Sequence, residues 1–263
     1  MKARLILGFA ALASVGAMSR QAPTASPASS LGKGYLAQPA PADSLLLSPP
    51  PPAPASAAEA RDIESSQVAL ALKGSTRWAL AMADAELSGP QATGALSCAA
   101  GIEISAMATP ALNALLRRTA ADLGISTSLI KNQYKRPRPF MINNAPSCTP
   151  EAEAGLRTNG AYPSGHSAIG YGWGLLLAEL FPDRANQIVA RGRAFGDSRR
   201  ICNVHWLSDV EEGRIAAAAI VARLHADRAF QKDIEAARRE IAKAATPPSR
   251  DCAAEAAALA LSK

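Results

Sequence analysis

Apolar residues recur at intervals of three and four along most of the chain, which is the spacing that buries one face of a helix. The clearest case lies within residues 105–124, where Pro110 suits a first helical turn. Its repeating apolar positions are Leu112, Leu115, Leu116, Ala120 and Leu123. No segment alternates apolar and polar residues over a useful length, so the pattern predicts no strand. The chain is therefore predicted to be all-α.

Caps and helix-breaking residues divide this pattern into separate helices. One helix is predicted from residue 59 to a glycine cap at Gly74, and a second over residues 75–89. Two prolines stop a helix near Arg136, because proline lacks an N–H and disfavours helix in the residue before it. Later helices are predicted over residues 164–182, 184–199 and 207–245, with a break in the last near Asp227.

The first 17 residues have the layout of a secretory signal peptide. Lys2 and Arg4 precede an apolar run from Leu5 to Ala13, which is too short to span a bilayer. Small residues follow, and cleavage is expected after Ala17, with Ala13 as the second choice. The mature protein is predicted to be soluble, without stable membrane insertion, and either periplasmic or secreted.

The rest of the chain divides into an arm, a domain and a tail. Residues 18–58 are rich in Pro, Ala and Ser, a composition that cannot build a core, so they are predicted to form an extended polyproline-like arm or a tether, with draping over the domain left open. One helical domain is expected over residues 59–245, followed by an alanine-rich tail over residues 246–263. The length of 263 residues and the hydrophobic fraction of 48% suit one sizeable core.

Charge narrows the class of ligand. The formal net charge is +6 and the isoelectric point is about 9.4, a weak hint of phosphate-bearing substrates. No dense basic tract is present, so nucleic acid is not an expected partner.

The four cysteines include no Cys-x-x-Cys pair, which argues against a zinc or thioredoxin-type site. In an exported protein they are expected to form two disulfides, for which three connectivities exist. We favour Cys98 with Cys148 and Cys202 with Cys252. Free buried thiols are the alternative.

Three polar clusters interrupt the helical pattern. The first consists of Lys131, Arg138 and Pro139. The lysine ammonium is a movable point charge and the arginine guanidinium is a planar group with paired donors, and together they suit a tetrahedral oxyanion. The alternative is a solvated basic helix end. Arg136 competes for the arginine role, but the position seven residues before it is Leu129 rather than lysine.

The second cluster is "GAYPSGHS" at residues 160–167. Glycine lets backbone N–H groups approach a ligand closely, and Ser164 adds a hydroxyl donor. If a helix begins just after Gly165, its free N–H groups face an anion, and His166 is placed to give or take a proton. A turn followed by a helix cap explains the same residues without any function.

The third cluster is "SRRICNVHWLSD", which contains Ser198, Arg199, His205 and Asp209. On a helix His205 and Asp209 would share a face, so that the carboxylate fixes the tautomer and leaves the other ring nitrogen free to attack. A surface ion pair is the alternative. The remaining histidine, His225, has no comparable neighbours and is interpreted as an ordinary helix residue.

The three clusters together resemble the signature of the phosphatidic acid phosphatase type 2 superfamily. The order is Lys-x6-Arg-Pro, then Pro-Ser-Gly-His, then Ser-Arg-x5-His-x3-Asp. Within that group, which includes lipid phosphatases and vanadium haloperoxidases, the chain looks like the secreted class A acid phosphatases from about Leu45 to about Lys243. Their Gly-Ser-Tyr-Pro-Ser-Gly-His-Thr is matched here except at Ala161 and Ser167, and both departures are conservative.

This resemblance implies a single-domain helical bundle and a phosphohistidine mechanism. His205 would attack phosphorus, Asp209 would orient its ring, and His166 would protonate the leaving group and then activate water. The residues implied to bind phosphate are Lys131, Arg138, Ser164, Gly165 and Arg199. No metal and no cofactor are implied.

The same resemblance implies small phosphomonoesters as substrates: nucleotides, sugar phosphates and aryl phosphates. Transfer of phosphate to other hydroxyls is an expected side reaction, and association into a homo-oligomer is left open. The alternatives are a soluble lipid phosphatase, a vanadate-dependent haloperoxidase, and a periplasmic phosphate-binding protein without turnover.

Overall fold

The structure is a computed structural model that describes residues 31–36, 44–244 and 246–262. These residues form helices and turns but no strand, so the predicted all-α class is confirmed. None of the helices in the described ranges is long and apolar enough to cross a membrane. The predicted signal peptide, residues 1–17, lies outside the described residues, as does part of the predicted arm.

Thirteen α-helices occur in the described part of the chain. In order they are α1 (Ser44–Leu47), α2 (Ala57–Leu70), α3 (Thr76–Ala83), α4 (Ser97–Ala100), α5 (Pro110–Ile125), α6 (Ser128–Tyr134), α7 (Pro139–Asn143), α8 (Glu153–Arg157), α9 (Gly165–Leu180), α10 (Ala185–Ile201), α11 (Leu207–Leu224), α12 (Arg228–Ile241) and α13 (Cys252–Ala260).

Helix α9 is the centre of the core and packs against α5, α10 and α11. Its Trp173 is buried, and the indole N–H donates to the Leu116 carbonyl of α5 at 2.8 Å. Small residues bring α9 and α10 together: a side chain on Gly192 would have its Cβ 2.8 Å from the Gly170 carbonyl oxygen. This backbone contact holds the first turns of α9 in place beside α10.

Several predicted helix boundaries match the structure, because they depend on local capping. Helix α9 begins at Gly165 with Ser164 as its N-cap, and α12 begins at Arg228 behind the Asp227 cap. Helix α3 begins after the Ser75 cap but ends at Ala83, six residues before the predicted Gly89.

The described part of the arm packs onto the helices instead of remaining a plain tether. Tyr35 is buried in the core; its N–H donates to Asp122 at 2.7 Å and its hydroxyl donates to Asp233 at 2.8 Å. The Arg118 guanidinium lies 3.7 Å from the centre of the Tyr35 ring. One aromatic ring buries enough apolar area to anchor a Pro-rich segment, so Tyr35 adds to the core of the helical domain.

The favoured disulfide pairing is wrong. The structure joins Cys98 to Cys252, with Cα atoms 5.4 Å apart, and Cys148 to Cys202, with Cα atoms 4.7 Å apart. Tertiary packing explains this result: α13 folds back against α3 and brings Cys252 to α4, while the Cys148 N–H donates to the Cys202 carbonyl at 3.1 Å.

Candidate active site

A cavity of about 250 Å³ opens at the N-terminal end of α9. Its polar lining includes Lys131, Arg138, Gly165, His166, Arg199 and His205, and its apolar wall includes Leu31, Leu87, Leu156 and Ile169. The structure thus brings all three sequence clusters to one cavity, although they are spread over almost eighty residues of chain.

The His205 ring is bound on both nitrogens. Its Nδ1 lies 3.2 Å from Asp209 Oδ2, and its Nε2 lies 3.1 Å from Arg138 Nη1. A neutral ring with its hydrogen on Nδ1 satisfies both contacts, because it donates to the carboxylate and accepts from the guanidinium. In this tautomer the lone pair is on Nε2, at the cavity.

The two residues of this pair do not share a helix face, so that detail of the sequence interpretation is wrong. His205 precedes α11, and Asp209 is the third residue of the helix. The Asp209 carboxylate caps the helix by accepting the Trp206 N–H at 2.8 Å, and the same oxygen reaches the His205 ring. Helix capping therefore places this carboxylate.

His166 is the second residue of α9, and its Nε2 lies 2.9 Å from the Ala85 carbonyl oxygen. Burial lowers the pKa of His166 well below its usual range, and the neighbouring Arg199 lowers it further. Burial and the adjacent Arg138 likewise lower the pKa of the His205 imidazole. Both rings therefore stay neutral until the pH is more acidic than the ordinary histidine pKa.

Three buried cations line the cavity: Lys131, Arg138 and Arg199. None of them forms an ion pair with a carboxylate within the described part of the chain. Lys131 Nζ donates to the Gly160 and Ala161 carbonyls at 2.7 and 3.1 Å, and Arg138 Nε donates to Leu156 at 2.9 Å.

Arg199 is the least satisfied of these cations. Its Nε has no hydrogen-bond partner among the described residues, and its Nη1 has only a 3.8 Å contact with Cys202 Sγ. Burial lowers the pKa of Arg199 to about 9 and that of Arg138 to about 10, so both remain protonated in acid. Buried cations without an anionic partner are costly, which indicates a site that an anion completes.

Ser164 and Asp209 lie behind the cavity and do not line it. The Ser164 Oγ accepts the Ser167 N–H at 3.2 Å, which makes it the N-cap of α9. The Ser164 N–H donates to the Asp209 carbonyl at 2.8 Å, so the start of α9 and the start of α11 are tied together.

Sequence reasoning set Arg136 aside, yet its guanidinium is in contact with the site. It donates to Asp209 and to Asp62 of α2, residues that no motif connects to it. His225 lies 3.2 Å from Glu179 and is away from the cavity, as expected of an ordinary helix residue.

A helical fold that gathers two histidines and three cations, without a carboxylate ion-pair partner in the described ranges, around one cavity is suited to a phosphate-like anion. Comparison with known proteins supports a phosphate-binding helical protein, because residues 110–232 match the PAP2 superfamily. An acid phosphatase of Zymomonas mobilis is 41% identical over 204 residues, 78% of this chain and 77% of that protein. The chain therefore belongs to the PAP2 superfamily, and the resemblance drawn from its motifs is confirmed.

Two further relatives have the same kind of name. A non-specific acid phosphatase of Salmonella typhimurium is 39% identical over 194 residues, 73% of this chain and 78% of that protein. A non-specific acid phosphatase of Providencia stuartii is 37% identical over 210 residues, 80% of this chain and 85% of that protein.

Proposed function

We propose that this chain is an acid phosphatase that hydrolyses phosphomonoesters through a phosphohistidine formed on His205. The observation that carries the proposal is a set of buried cations, none in an ion pair with a carboxylate of the described residues, around a His205 ring whose Nδ1 is bound by Asp209. The names of the relatives support the same reaction.

In the first step the Arg138 guanidinium turns from His205 Nε2 to the phosphoryl oxygens, and the freed Nε2 lone pair attacks phosphorus while the bond from phosphorus to the ester oxygen breaks. His166 gives the departing oxygen its proton. Because Nε2 of His166 is engaged by the Ala85 carbonyl, the proton that leaves is the one on Nδ1 of the protonated ring. Asp209 accepts a hydrogen bond from Nδ1–H of His205 and, as a carboxylate, balances the positive charge that develops on that ring.

In the second step water attacks the phosphohistidine and His166, now neutral, takes a proton from it. The P–N bond breaks, inorganic phosphate leaves, and His205 returns to its starting form. Any other hydroxyl that replaces water receives the phosphate, so transfer to alcohols or nucleosides is part of the proposal.

Lys131, Arg138 and Arg199 offset the charge on the phosphoryl oxygens throughout, and the Gly165 N–H at the start of α9 adds a donor. Burial and the nearby Arg138 lower the pKa of Lys131 well below its ordinary value. A bound phosphate dianion supplies the opposite charge and favours the ammonium form. Ser164 would act through its cap, which fixes the helix N-terminus.

The proposal includes the biological setting that the first 17 residues suggest. The chain is exported to the periplasm or secreted, residues 59–245 form the catalytic domain, and the substrates are nucleotides, sugar phosphates and aryl phosphates. The disulfide pairs suit an oxidising compartment.

The test is a substrate panel with the purified full chain, assayed with and without a chelator. The panel contains an aryl phosphate, a nucleoside monophosphate, a sugar phosphate and a short-chain phosphatidate, with a separate assay for bromide oxidation in the presence of vanadate. We expect the small phosphomonoesters to be hydrolysed in acid at the same rate with chelator present. Turnover of phosphatidate alone, bromide oxidation without phosphatase activity, or phosphate binding without turnover would overturn the proposal.

A further inference from the structure

Behind the His205–Asp209 pair lies a second, buried ion-pair network. Arg136 Nη1 donates to Asp209 Oδ1 at 2.6 Å, and Arg136 Nη2 donates to Asp62 Oδ2 at 2.8 Å. The side chains of Asp209 and Asp62 are 0% and 2% exposed, and that of Arg136 is 11% exposed. One guanidinium thus bridges two buried carboxylates, one of which contacts His205.

The far end of this bridge is fixed by Ser208. Asp62 accepts the Ser208 N–H at 2.8 Å and the Ser208 hydroxyl at 2.6 Å, and the same hydroxyl accepts from Arg136 at 2.8 Å. The Arg136 guanidinium also lies 5.4 Å from the Trp206 ring centre. Each partner has two or more contacts, so the guanidinium has one defined position.

The two oxygens of Asp209 have different tasks. Oδ2 accepts from the Trp206 N–H and contacts His205 Nδ1, while Oδ1 is bound by Arg136. Without Arg136, Oδ1 would be a buried carboxylate oxygen lacking its cation, and the carboxylate would be free to turn about its bond.

We propose that Arg136 and Asp62 are positioning residues: Asp62 holds Arg136, and Arg136 holds the Asp209 carboxylate ionised and oriented on Nδ1 of His205. The proposal rests on the proposed function, in which Nε2 of His205 is the nucleophile. It adds a contribution from α2, which lies outside residues 110–232, the range that the superfamily profile matches.

The charge state of Asp209 gives the proposal a measurable consequence. Burial raises the pKa of the Asp209 carboxyl, and the adjacent Arg136 opposes that rise. The other charged or titratable groups that face this carboxylate include His205, Lys131, Arg138 and Tyr162. Removal of Arg136 therefore raises the pKa of Asp209, so that the carboxylate is lost at a higher pH and activity fails earlier as the pH falls.

The experiment compares Arg136→Gln, Arg136→Lys and Asp62→Asn with the unmodified full chain. For Arg136→Gln we expect kcat to fall roughly 10- to 100-fold, as is usual when an outer-shell partner is lost. KM and the inhibition constant of inorganic phosphate should change less than about twofold, because the cavity cations are untouched. The acidic limb of the kcat profile should move to higher pH, and Arg136→Lys should restore part of both effects.

Asp62→Asn separates positioning from charge. If Arg136 kept its place, loss of the negative charge of Asp62 would leave the positive charge of Arg136 less offset. The pKa of Asp209 would then fall, and the acidic limb would move to lower pH. Under the proposal Arg136 loses its anchor, and the limb moves to higher pH by less than in Arg136→Gln. A limb that stays in place or moves to lower pH in Asp62→Asn would overturn the proposal.

Arg61→Gln is the matched control. Arg61 also joins α2 to α11, through Glu211 at 2.7 Å, but this pair is exposed and does not contact Asp209. We expect Arg61→Gln to leave the pH profile unchanged. An equal shift in this control would show that any loosening of α2 has the same effect, which would refute a specific role for Asp62.

A second readout does not depend on activity. The chain has three histidines, so nitrogen NMR of the imidazole rings is simple, and His225→Gln assigns one of them. We expect His205 to carry its hydrogen on Nδ1 in the unmodified chain and to become a mixture of tautomers in Arg136→Gln. An unchanged tautomer would overturn the proposal.

If the unmodified chain has no phosphatase activity, the proposed function fails, while this spectrum still decides the positioning. If Arg136→Gln does not fold, Asp62→Asn and Arg136→Lys decide it by the same two readouts.

Discussion

At the scale of single residues, the two cavity histidines are perturbed in the same direction but have opposite protonation requirements. In the proposed mechanism His166 must start protonated and His205 must start neutral, and the pKa of each is lowered by burial and nearby cations. The lowered pKa of His205 keeps this proposed nucleophile neutral in acid. Because the pKa of His166 is lowered, its protonated form is lost at a lower pH than that of an ordinary histidine.

These directions predict an acidic optimum, below the ordinary histidine pKa of about 6.5. The activity should fall on the alkaline side as His166 loses its proton and on the acidic side as the His205–Asp209 pair gains one. The measurement is kcat and kcat/KM for an aryl phosphate across the pH range. A flat profile from strong acid to alkali, or an alkaline optimum, would contradict the assigned roles.

Two buried arginines provide a contrast between binding and stability. Arg199 forms no ion pair with a carboxylate among the residues that the structure describes, whereas Arg191 pairs with Asp84 at 2.6 Å and with Glu255 at 3.0 Å. We expect Arg199→Gln to reduce kcat by about 10²- to 10³-fold, as for loss of one donor to a transition-state oxyanion. The free energy of unfolding should not fall, because no buried carboxylate loses its partner.

Arg191→Gln should have the opposite pattern, a lower unfolding free energy with little loss of activity in the folded protein. It removes the ion-pair partner of the buried Asp84 and also the Arg191 contact of Glu255, which keeps Arg250 at 3.2 Å. We expect this to cost about 3–5 kcal/mol of unfolding free energy. Urea unfolding of both variants, with activity measured on the folded fraction, checks the pair. A larger stability loss in Arg199→Gln than in Arg191→Gln would contradict the view that the Arg199 charge is kept for an anion.

At the scale of helices, the sequence predicts the helix boundaries that a proline or a capping residue determines. Pro110, the Ser164 cap and the Asp227 cap mark helix starts that the structure also has, since each depends on groups within one turn. The end of α3 is different. It stops at Ala83, and Asp84 beyond it binds Arg191 of α10, a contact that local pattern cannot anticipate.

The close contact of α9 and α10 is testable through one glycine. A Cβ at Gly192 would lie 2.8 Å from the Gly170 carbonyl oxygen, which is backbone and cannot turn away. We expect Gly192→Ala to lower the unfolding free energy by about 1–3 kcal/mol, the usual cost of overpacking. Thermal and urea unfolding measure it.

Gly155→Ala is the control for that substitution. Gly155 also lies in a helix, α8, but a Cβ there has no neighbour within 4 Å. We expect it to be neutral or to stabilise by about 0.5–1 kcal/mol, as glycine is a poor helix residue. Equal losses in the two variants would show that the α9–α10 contact is not specially tight.

At the scale of the whole molecule, motif spacing identified the residues of the cavity but not what lies behind it. Asp62 is 147 positions from Asp209, and no local pattern connects an acidic residue of α2 to a histidine before α11. The disulfide pairing failed for the same reason, because it depends on where α13 folds back. Tyr35 was missed because its anchors, Asp122 and Asp233, lie on helices far along the chain.

The two disulfides should differ in their effects on the whole molecule. Cys148–Cys202 lies at the turn between Arg199 and His205, whereas Cys98–Cys252 ties α13 to α4, away from the cavity. We expect serine at both positions of either pair to cost about 2–5 kcal/mol of stability. The folded protein without Cys148–Cys202 should also lose activity, and the one without Cys98–Cys252 should keep it. Equal specific activities would contradict this division.

The central claim is that His205 becomes covalently phosphorylated while His166 transfers protons. The most direct measurement is to mix the full chain with a ³²P-labelled activated aryl phosphate, quench in base to preserve the P–N bond, and map the labelled residue. The account predicts label on His205, retained in His166→Ala with this good leaving group and absent in folded His205→Ala. Label on another residue, no label during turnover, or equal complete loss in both variants would contradict it.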